Sequence, residues 1–322
     1  MNGAESGIDE GRDDGVDDLV ARAEEALPVG DAVVARSLAE EALALVVEAQ
    51  AWPRVAETAG LLGHASALVG EIQRAETAYL MAAECRRGLA EADVHLDGRP
   101  GARWGWYLRT TYRWDDAREV LERSAAGCTE RGDTVAAALA DVELAALELD
   151  KKLAGATLLR LDTALPVLDT EGQVPDAVRA RLLRAEALLA RGRHDEAGET
   201  VVAVLDACGT HGLLALRGDA LVVRSRLTLE TGGTSTEAAV DARAALDLAR
   251  DRGLVWLEIA ALWAMAATED VGRGLFDDDP PPAGLPPRAG SFADQAGRLR
   301  QQLNNQWFDL HPLRTVEQRV GR

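Results

Sequence analysis

The sequence has few aromatic residues, few cysteines and almost no lysine. Phe, Trp and Tyr make up only 4% of its 322 residues although 47% are hydrophobic, so much of the apolar content is Ala, Leu and Val. Ala and Leu favour helices, and small side chains let helices pack closely. No segment alternates β-branched or aromatic residues with polar ones, which argues against a β-sheet protein. The composition therefore predicts an all-α fold.

Positive charge is scarce as well. Lysine occurs only at Lys151 and Lys152, and the formal net charge at pH 7 is −19. The arginines are interleaved with Asp and Glu and form no basic stripe. A surface of this sign repels a polyanion. We therefore expect no direct binding of DNA or RNA.

The chain lacks the segments that would direct it to or through a membrane. Its first residues have neither the basic start nor the apolar core of a signal peptide. No window approaches the ~18 uninterrupted apolar residues of a membrane span. These absences predict a cytoplasmic protein with no membrane partner.

Motifs for catalysis, phosphate binding and metal binding are also missing. The sequence contains no GxxxxGK[ST], no GxSxG and no HExxH. Cys85, Cys128 and Cys208 are odd in number and widely spaced, which argues against a disulfide framework. Each falls late in a predicted second helix of a repeat, where a free cysteine packs as a small apolar residue. We expect no enzyme, no cofactor and no metal site.

What the sequence does contain is a repeat of about 40 residues. Its clearest copy is Arg181 to Leu205, which predicts two helices joined by a tight turn at Gly192. A small residue opens the second helix of each copy, and the intervals between these residues are 40, 42, 39, 41 and 42. The positions are Ala35, Ala75, Ala117, Ala156, Ala197 and Ala239.

This unit resembles the tetratricopeptide repeat (TPR). Leu62-Gly63 matches the Leu-Gly pair of that family, and Trp256 and Trp263 flank Ala260 where the family keeps its first-helix aromatics. The small first-helix position is filled by Ala23, Gly63, Gly105, Ala185, Ser225 and Ala260, with Leu144 in the fourth copy. The period is about six residues longer than the ~34 of the family. Such long repeats are similar to the helical-repeat sensor regions of large actinobacterial transcriptional regulators.

The resemblance implies a right-handed α-solenoid of about seven antiparallel helix pairs with a C-terminal capping helix. A lone helical hairpin cannot bury its apolar face, so neighbouring pairs share one core. We predict a disordered acidic tail at 1–15, the repeat array at 16–269, an Asp/Pro-rich loop at 270–290, the capping helix at 291–310 and a polar tail at 311–322.

The resemblance also implies a concave groove lined by the first helices. Trp106 and Arg109 lie one turn apart, and Trp and Arg dominate binding hot spots. Packing of Trp106 between repeats is an equally open alternative. The mixed signs argue against the basic clamp that some family members use for peptide carboxylates. The predicted groove residues are Glu57, His64, Arg99, Trp106, Arg109, Asp141, Glu148, Arg179, Glu186, Asp219 and Arg226.

The favoured function is a non-enzymatic scaffold that binds a peptide or protein segment in this groove. The alternative is a regulatory sensor subunit that binds a small molecule or signalling peptide and controls a partner regulator. The weakest hypothesis is an enzyme that uses groove carboxylates or His64. The sequence does not predict the oligomeric state.

Overall fold

A computed structural model describes residues 6–89, 98–274 and 292–310 of the chain. Within these residues there are fourteen helices and no strand, and consecutive helices pack on each other. Short connections between consecutive helices make them antiparallel neighbours. The helices are α1 Ser6–Ala26, α2 Ala32–Glu48, α3 Trp52–Leu68, α4 Ile72–Leu89, α5 Arg99–Thr110, α6 Trp114–Glu130, α7 Thr134–Asp150, α8 Ala154–Thr170, α9 Val174–Ala190, α10 His194–His211, α11 Leu214–Glu230, α12 Ser235–Arg252, α13 Val255–Gly274 and α14 Phe292–Leu310.

The fold is an all-α solenoid of TPR-like helix pairs, as the sequence predicts. Odd-numbered helices are the first helices of the seven pairs, and even-numbered helices are the second. In the described part of the chain, no helix is both long and apolar enough to cross a membrane.

A residue in the left-handed region marks the turn inside each of the first six pairs. Gly30 and Gly192 have φ of 85° and 71°, whereas Tyr112 and Lys152 take φ of 62° and 64° in the third and fourth pairs. A left-handed residue ends the first helix and lets the chain reverse. The fourth pair therefore makes the same turn without a glycine.

These turns correct the predicted register of two second helices. Ala35 and Ala197 lie five residues after the left-handed residue and are buried. The same count from Lys152 gives Thr157, which is fully buried, whereas the predicted Ala156 is exposed.

The sixth pair contains one extra turn residue, Gly233, and its buried position is Ala238 instead of the predicted Ala239. Both predictions were wrong by one residue. With Thr157 and Ala238 in place, the intervals become 40, 42, 40, 40 and 41.

The first helix of the fourth pair shifts in the same way. The Thr157 hydroxyl donates to the backbone carbonyl of Ala145 at 3.2 Å, so Ala145 is the small residue at this crossing. Leu144, predicted for this position, was one residue off. The error followed from counting back from Ala156, because the sequence gives no sign that Lys152 adopts the left-handed conformation.

Two crossings show why small residues are needed. A methyl group on Gly105 would overlap the side chain of Leu121, and one on Gly63 would lie 3.0 Å from the Tyr79 ring. Leu121 and Tyr79 are both fully buried. A large side chain of the second helix therefore fills the space that glycine leaves in the first.

Two predicted boundaries differ from the structure. Helix α1 begins at Ser6, so residues 6–15, which were predicted to be disordered, are helical. Helix α13 continues to Gly274, so 270–274 belongs to a helix. Residues 1–5, most of the 270–290 loop and the 311–322 tail lie outside the described residues.

The two ends of the array meet. The Trp256 indole N–H donates to the carbonyl of Ala67 at 2.8 Å, which joins α13 to α3. Arg252 at the end of α12 forms an ion pair with Asp31 at the start of α2. The largest core cluster is continuous across this contact, since it includes Ile72 of the second pair together with residues of α13.

Helix α14 packs on α13 and also reaches the early repeats. Its Gln306 accepts a hydrogen bond from the backbone N–H of Ile72 at 3.2 Å, and Arg300 donates to the carbonyl of Thr110 at 2.6 Å. The Arg300 guanidinium lies 4.2 Å from the centre of the Tyr112 ring and 4.8 Å from that of the Trp256 ring. The predicted cap therefore also holds the ring of repeats together.

Candidate binding cavity

The first helices of all seven pairs line one cavity of about 900 Å³. Closure of the array turns the expected open groove into this cavity. Much of its wall is apolar, which is typical of ligand sites. The apolar lining residues include Leu27, Leu68, Ala102, Leu139, Val142, Ala146, Leu149, Leu182, Leu183, Ala215, Leu216, Val222, Val223, Leu254, Leu257 and Ala260.

Four arginines line the cavity, and each is held by a carboxylate of another helix. These pairs join different repeats, and all four carboxylate partners also line the cavity. The pairs therefore fix the shape of the wall. Guanidinium–carboxylate contacts of this kind are strong and directional. The pairs are Arg99–Asp176 at 3.2 Å, Arg109–Asp150 at 2.8 Å, Arg179–Glu143 at 2.6 Å, and Arg103–Glu24.

Glu143 of α7 is the centre of this arrangement. It is buried, and it contacts both Arg179 of α9 and Arg109 of α5, the latter at 3.8 Å. Arg99 gains a second partner, because it also donates to the Gln173 side chain at 2.5 Å. The arginines are therefore engaged within the wall.

Two carboxylates of the wall differ from the others. Within the described residues, Glu186 of α9 and Asp219 of α11 form no ion pair and no hydrogen bond. Burial raises the pKa of Glu186, against the charges of Arg226, Arg109 and Arg179. Burial raises the pKa of Asp219 to about 7, with Arg179 opposing the shift and Glu186 adding to it. These carboxyl groups remain available to a ligand.

An aromatic corner forms another part of the wall. His64 and Trp106 are in edge contact with ring centres 4.7 Å apart, and Trp106 meets Trp256 edge-on at 6.4 Å. Burial, followed by the charges of Arg103 and Arg179, holds the pKa of His64 well below its usual value. The imidazole is therefore neutral at pH 7, and the corner presents an uncharged surface.

The sequence left open whether Trp106 faces the groove or packs between repeats, and the structure shows that it does both. Only 6% of the residue is exposed, because its ring packs against His64 and Trp256. It nevertheless lines the cavity. Trp106 is thus part of the core that forms the wall, and its neighbour Arg109 is held by Asp150.

Seven of the eleven predicted groove residues line the cavity: His64, Arg99, Trp106, Arg109, Arg179, Glu186 and Asp219. The other four do not. Glu57 is exposed on α3, and Arg226 is exposed and pairs with Glu230 at 3.1 Å. Asp141 and Glu148 bind Arg160 of α8 at 2.7 and 2.9 Å.

The misplacement of Asp141 and Glu148 follows from the register error at Leu144. Moving both positions by one residue gives Val142 and Leu149, and both of these line the cavity. Arg226 lies near the end of α11, beyond the lined part of that helix.

Several wall residues were not predicted. Glu143 was missed because an acidic residue beside a packing position reads as part of a solvated helix face. Trp256 was matched only to a first-helix aromatic of the repeat family, and the contact of α13 with α3 places it on the wall. No pattern in the sequence predicts the contact between α13 and α3.

The described residues contain no group of three or more His, Cys, Asp or Glu that could hold a metal ion. All three cysteines are free, and Cys128 and Cys208 are buried. Burial raises the pKa of Cys208 to about 11, so its thiol stays protonated at pH 7. Packing as small apolar residues accounts for the two buried cysteines.

Comparison with known proteins gives information on the fold. No protein-family model and no curated protein matches the chain. Among solved structures, a Rap protein complexed with competence and sporulation factor is similar with a TM-score of 0.59 and 11% sequence identity, covering 91% of this chain and 77% of the Rap chain. The apo form of RapI aligns with a TM-score of 0.48 and 12% identity over 80% of this chain and 72% of that one. The first of these likenesses supports the TPR-like fold.

Proposed function

We propose that this chain is a non-enzymatic helical-repeat protein that binds a short peptide, or a short segment of a partner protein, in its central cavity. The observation that carries the proposal is the cavity wall itself, to which every helix pair contributes. Its volume of about 900 Å³ lies at the upper end of the ~300–1,000 Å³ of ligand sites. A short segment fits this volume better than a long chain.

The chemistry of the wall favours binding over catalysis. The wall arginines are held in ion pairs, and His64 is neutral and packed among aromatic rings. These groups can orient a ligand without moving a proton. The Rap protein of similar fold was crystallised with a factor bound, which agrees with this use of the fold.

A sensor role is the second candidate, and the contacts of α14 favour it. Arg300 joins the carbonyl of Thr110 in α5 to the ring of Trp256 in α13, and Trp256 also lines the cavity. A ligand against Trp256 would thus act directly on the contact that closes the ring. A ligand-dependent change in the small-angle scattering profile would separate this role from simple binding.

The proposed function is tested by displaying a library of random hexapeptides to the full chain. Val222→Trp places a large ring on the cavity wall at a half-buried position, whereas Val240→Trp makes the same change at an exposed position of α12. We expect peptides to be retained by the wild type and by Val240→Trp, and to be lost with Val222→Trp. Retention of the same peptides by Val222→Trp at an unchanged melting temperature would contradict binding in the cavity.

A further inference from the structure

We propose that the cavity selects ligands with a positively charged group, which lies between Glu186 of α9 and Asp219 of α11. This inference rests on the proposed function and adds the chemistry of the ligand. The cationic group is a Lys or Arg side chain of the bound peptide, or its free amino terminus.

The first argument is the charge of the cavity. Seven carboxylates line it, against four arginines. Each arginine is held by one of four carboxylates, namely Glu24, Glu143, Asp150 and Asp176. The surplus is negative, and Glu186 and Asp219 make up most of it. A cationic ligand complements this surplus, whereas an anionic one meets no arginine that is not already engaged in the wall.

The second argument is the cost of leaving the two carboxylates as they are. Glu186 and Asp219 are half-buried, and within the described residues neither has a partner. A carboxylate in such a place is unfavourable, and a cation that enters the site relieves this cost. Nothing in the packing of α9 against α11 requires acidic side chains here, because the neighbouring wall positions Leu182 and Val223 are apolar. A guanidinium or ammonium group can donate to both carboxylates at once.

The surroundings of the pair support the same conclusion. The charged groups that act on it are Arg179, Arg109, Arg226 and Asp150. Arg179 and Arg109 are bound to Glu143 and Asp150, and Arg226 is bound to Glu230 at the surface. These arginines lower the repulsion between the two carboxylates but are held away from direct contact.

The apolar part of the wall determines which other side chains the ligand can carry. The aromatic corner of His64, Trp106 and Trp256 is uncharged and suits an apolar side chain. A peptide that combines one basic group with one apolar side chain matches both parts of the cavity. A strongly acidic peptide matches neither part.

The experiment compares hexapeptides selected by the wild type with those selected by Glu186→Gln combined with Asp219→Asn. The control combines Glu57→Gln with Glu199→Gln, which removes the same charge from exposed positions. We expect enrichment of Lys or Arg with the wild type and the control, and loss of that enrichment with the cavity variant. For one selected peptide, replacing Arg by citrulline should weaken binding about 10- to 100-fold, as loss of a charged hydrogen bond does. Acetylating the amino terminus shows whether that group is the cation instead.

Each outcome is decisive. If the wild type binds peptides without basic enrichment and acetylation has no effect, the cationic subsite is wrong while the proposed function stands. If the cavity variant keeps the basic preference, the assignment to Glu186 and Asp219 is wrong. If the wild type binds no peptide, the proposed function fails and this inference with it. Because the cavity variant removes buried charge, we expect it to fold, and its melting temperature checks this.

Discussion

The helix crossings and the cavity wall use the same first helices in opposite ways. At the crossings, small residues such as Ala185 and Gly105 recur, and their variation is limited to what fits against the second helix. One turn away on the same helices, the wall carries arginines, carboxylates and tryptophans that differ from pair to pair. Shape therefore limits which residues occur at the crossings, whereas the wall positions that differ between pairs differ mainly in charge. Recognition is therefore expected where the repeat is least regular.

The largest effect should come from the crossing at Gly105. Gly105→Ala places a methyl group against the buried Leu121 and should destabilise the protein by about 3 kcal/mol through overpacking. The measurement is the free energy of unfolding in urea. Gly209→Ala in α10 is the control, since its methyl group would meet nothing within 4 Å. That control should be stabilising by ~0.5–1 kcal/mol, and equal effects at both glycines would contradict the description of the crossing.

A substitution on the wall, at Asp219, should have the opposite effect and stabilise the protein. Its pKa in the folded protein is about 7 against a usual 3.8. Between these values the folded state binds more protons than the unfolded one, so this group lowers the free energy of unfolding as pH rises from about 4 to about 7. Because the residue keeps some exposure to solvent, we expect Asp219→Asn to stabilise the protein by about 2 kcal/mol at pH 8 and by nothing at pH 4.

The control for Asp219 is Glu57→Gln, which changes the same charge at an exposed position outside the cavity. Unfolding is followed in urea at both pH values. A stabilisation by Asp219→Asn that is equal at pH 4 and pH 8 would show that ionisation of the buried carboxyl group is not its cause.

Loss of the contact that closes the ring should change the free energy of unfolding less than the substitutions at Gly105 and Asp219. Arg300→Ala removes a hydrogen bond to Thr110 and the contacts with the Tyr112 and Trp256 rings. We expect a loss of about 1.5 kcal/mol and faster hydrogen exchange of the α14 amides. Arg298→Ala, at an exposed position of the same helix, is the matched change. Unaltered exchange of α14 in Arg300→Ala would argue against its role in closure.

The smallest effect concerns the corrected register of the fourth pair. Thr157→Val keeps the shape of the side chain but removes the hydrogen bond to Ala145, and should cost about 1 kcal/mol. Thr163→Val makes the same change at an exposed position of α8. If the melting temperature falls equally for both variants, Thr157 does not occupy the crossing.

The sequence predicts the repeat because the crossings repeat. Ala35, Ala75, Ala117 and Ala197 recur at nearly constant spacing because each must fit the same helix contact. The fourth and sixth pairs were misplaced by one residue, because a left-handed Lys152 and an extra Gly233 are not visible as breaks in that spacing.

The wall was predicted less completely for a different reason. Residues of the middle repeats, such as Arg179, Glu186 and Asp219, follow from the repeat alone. Glu143 and Trp256 depend on contacts between repeats that are distant in sequence, and no local pattern encodes these contacts. Likewise, the pairing of Arg109 with Asp150 could not be inferred from their separation along the chain.

The hydrogen bond between Trp256 and Ala67 has a consequence for the evolution of this chain. In an open solenoid, gaining or losing a repeat lengthens or shortens the binding surface and leaves the rest intact. Here α13 must meet α3, so a change in repeat number would separate the two ends and remove the cavity altogether. The number of repeats is therefore part of the binding site, and new specificities are expected to arise by substitution on the wall instead of by duplication.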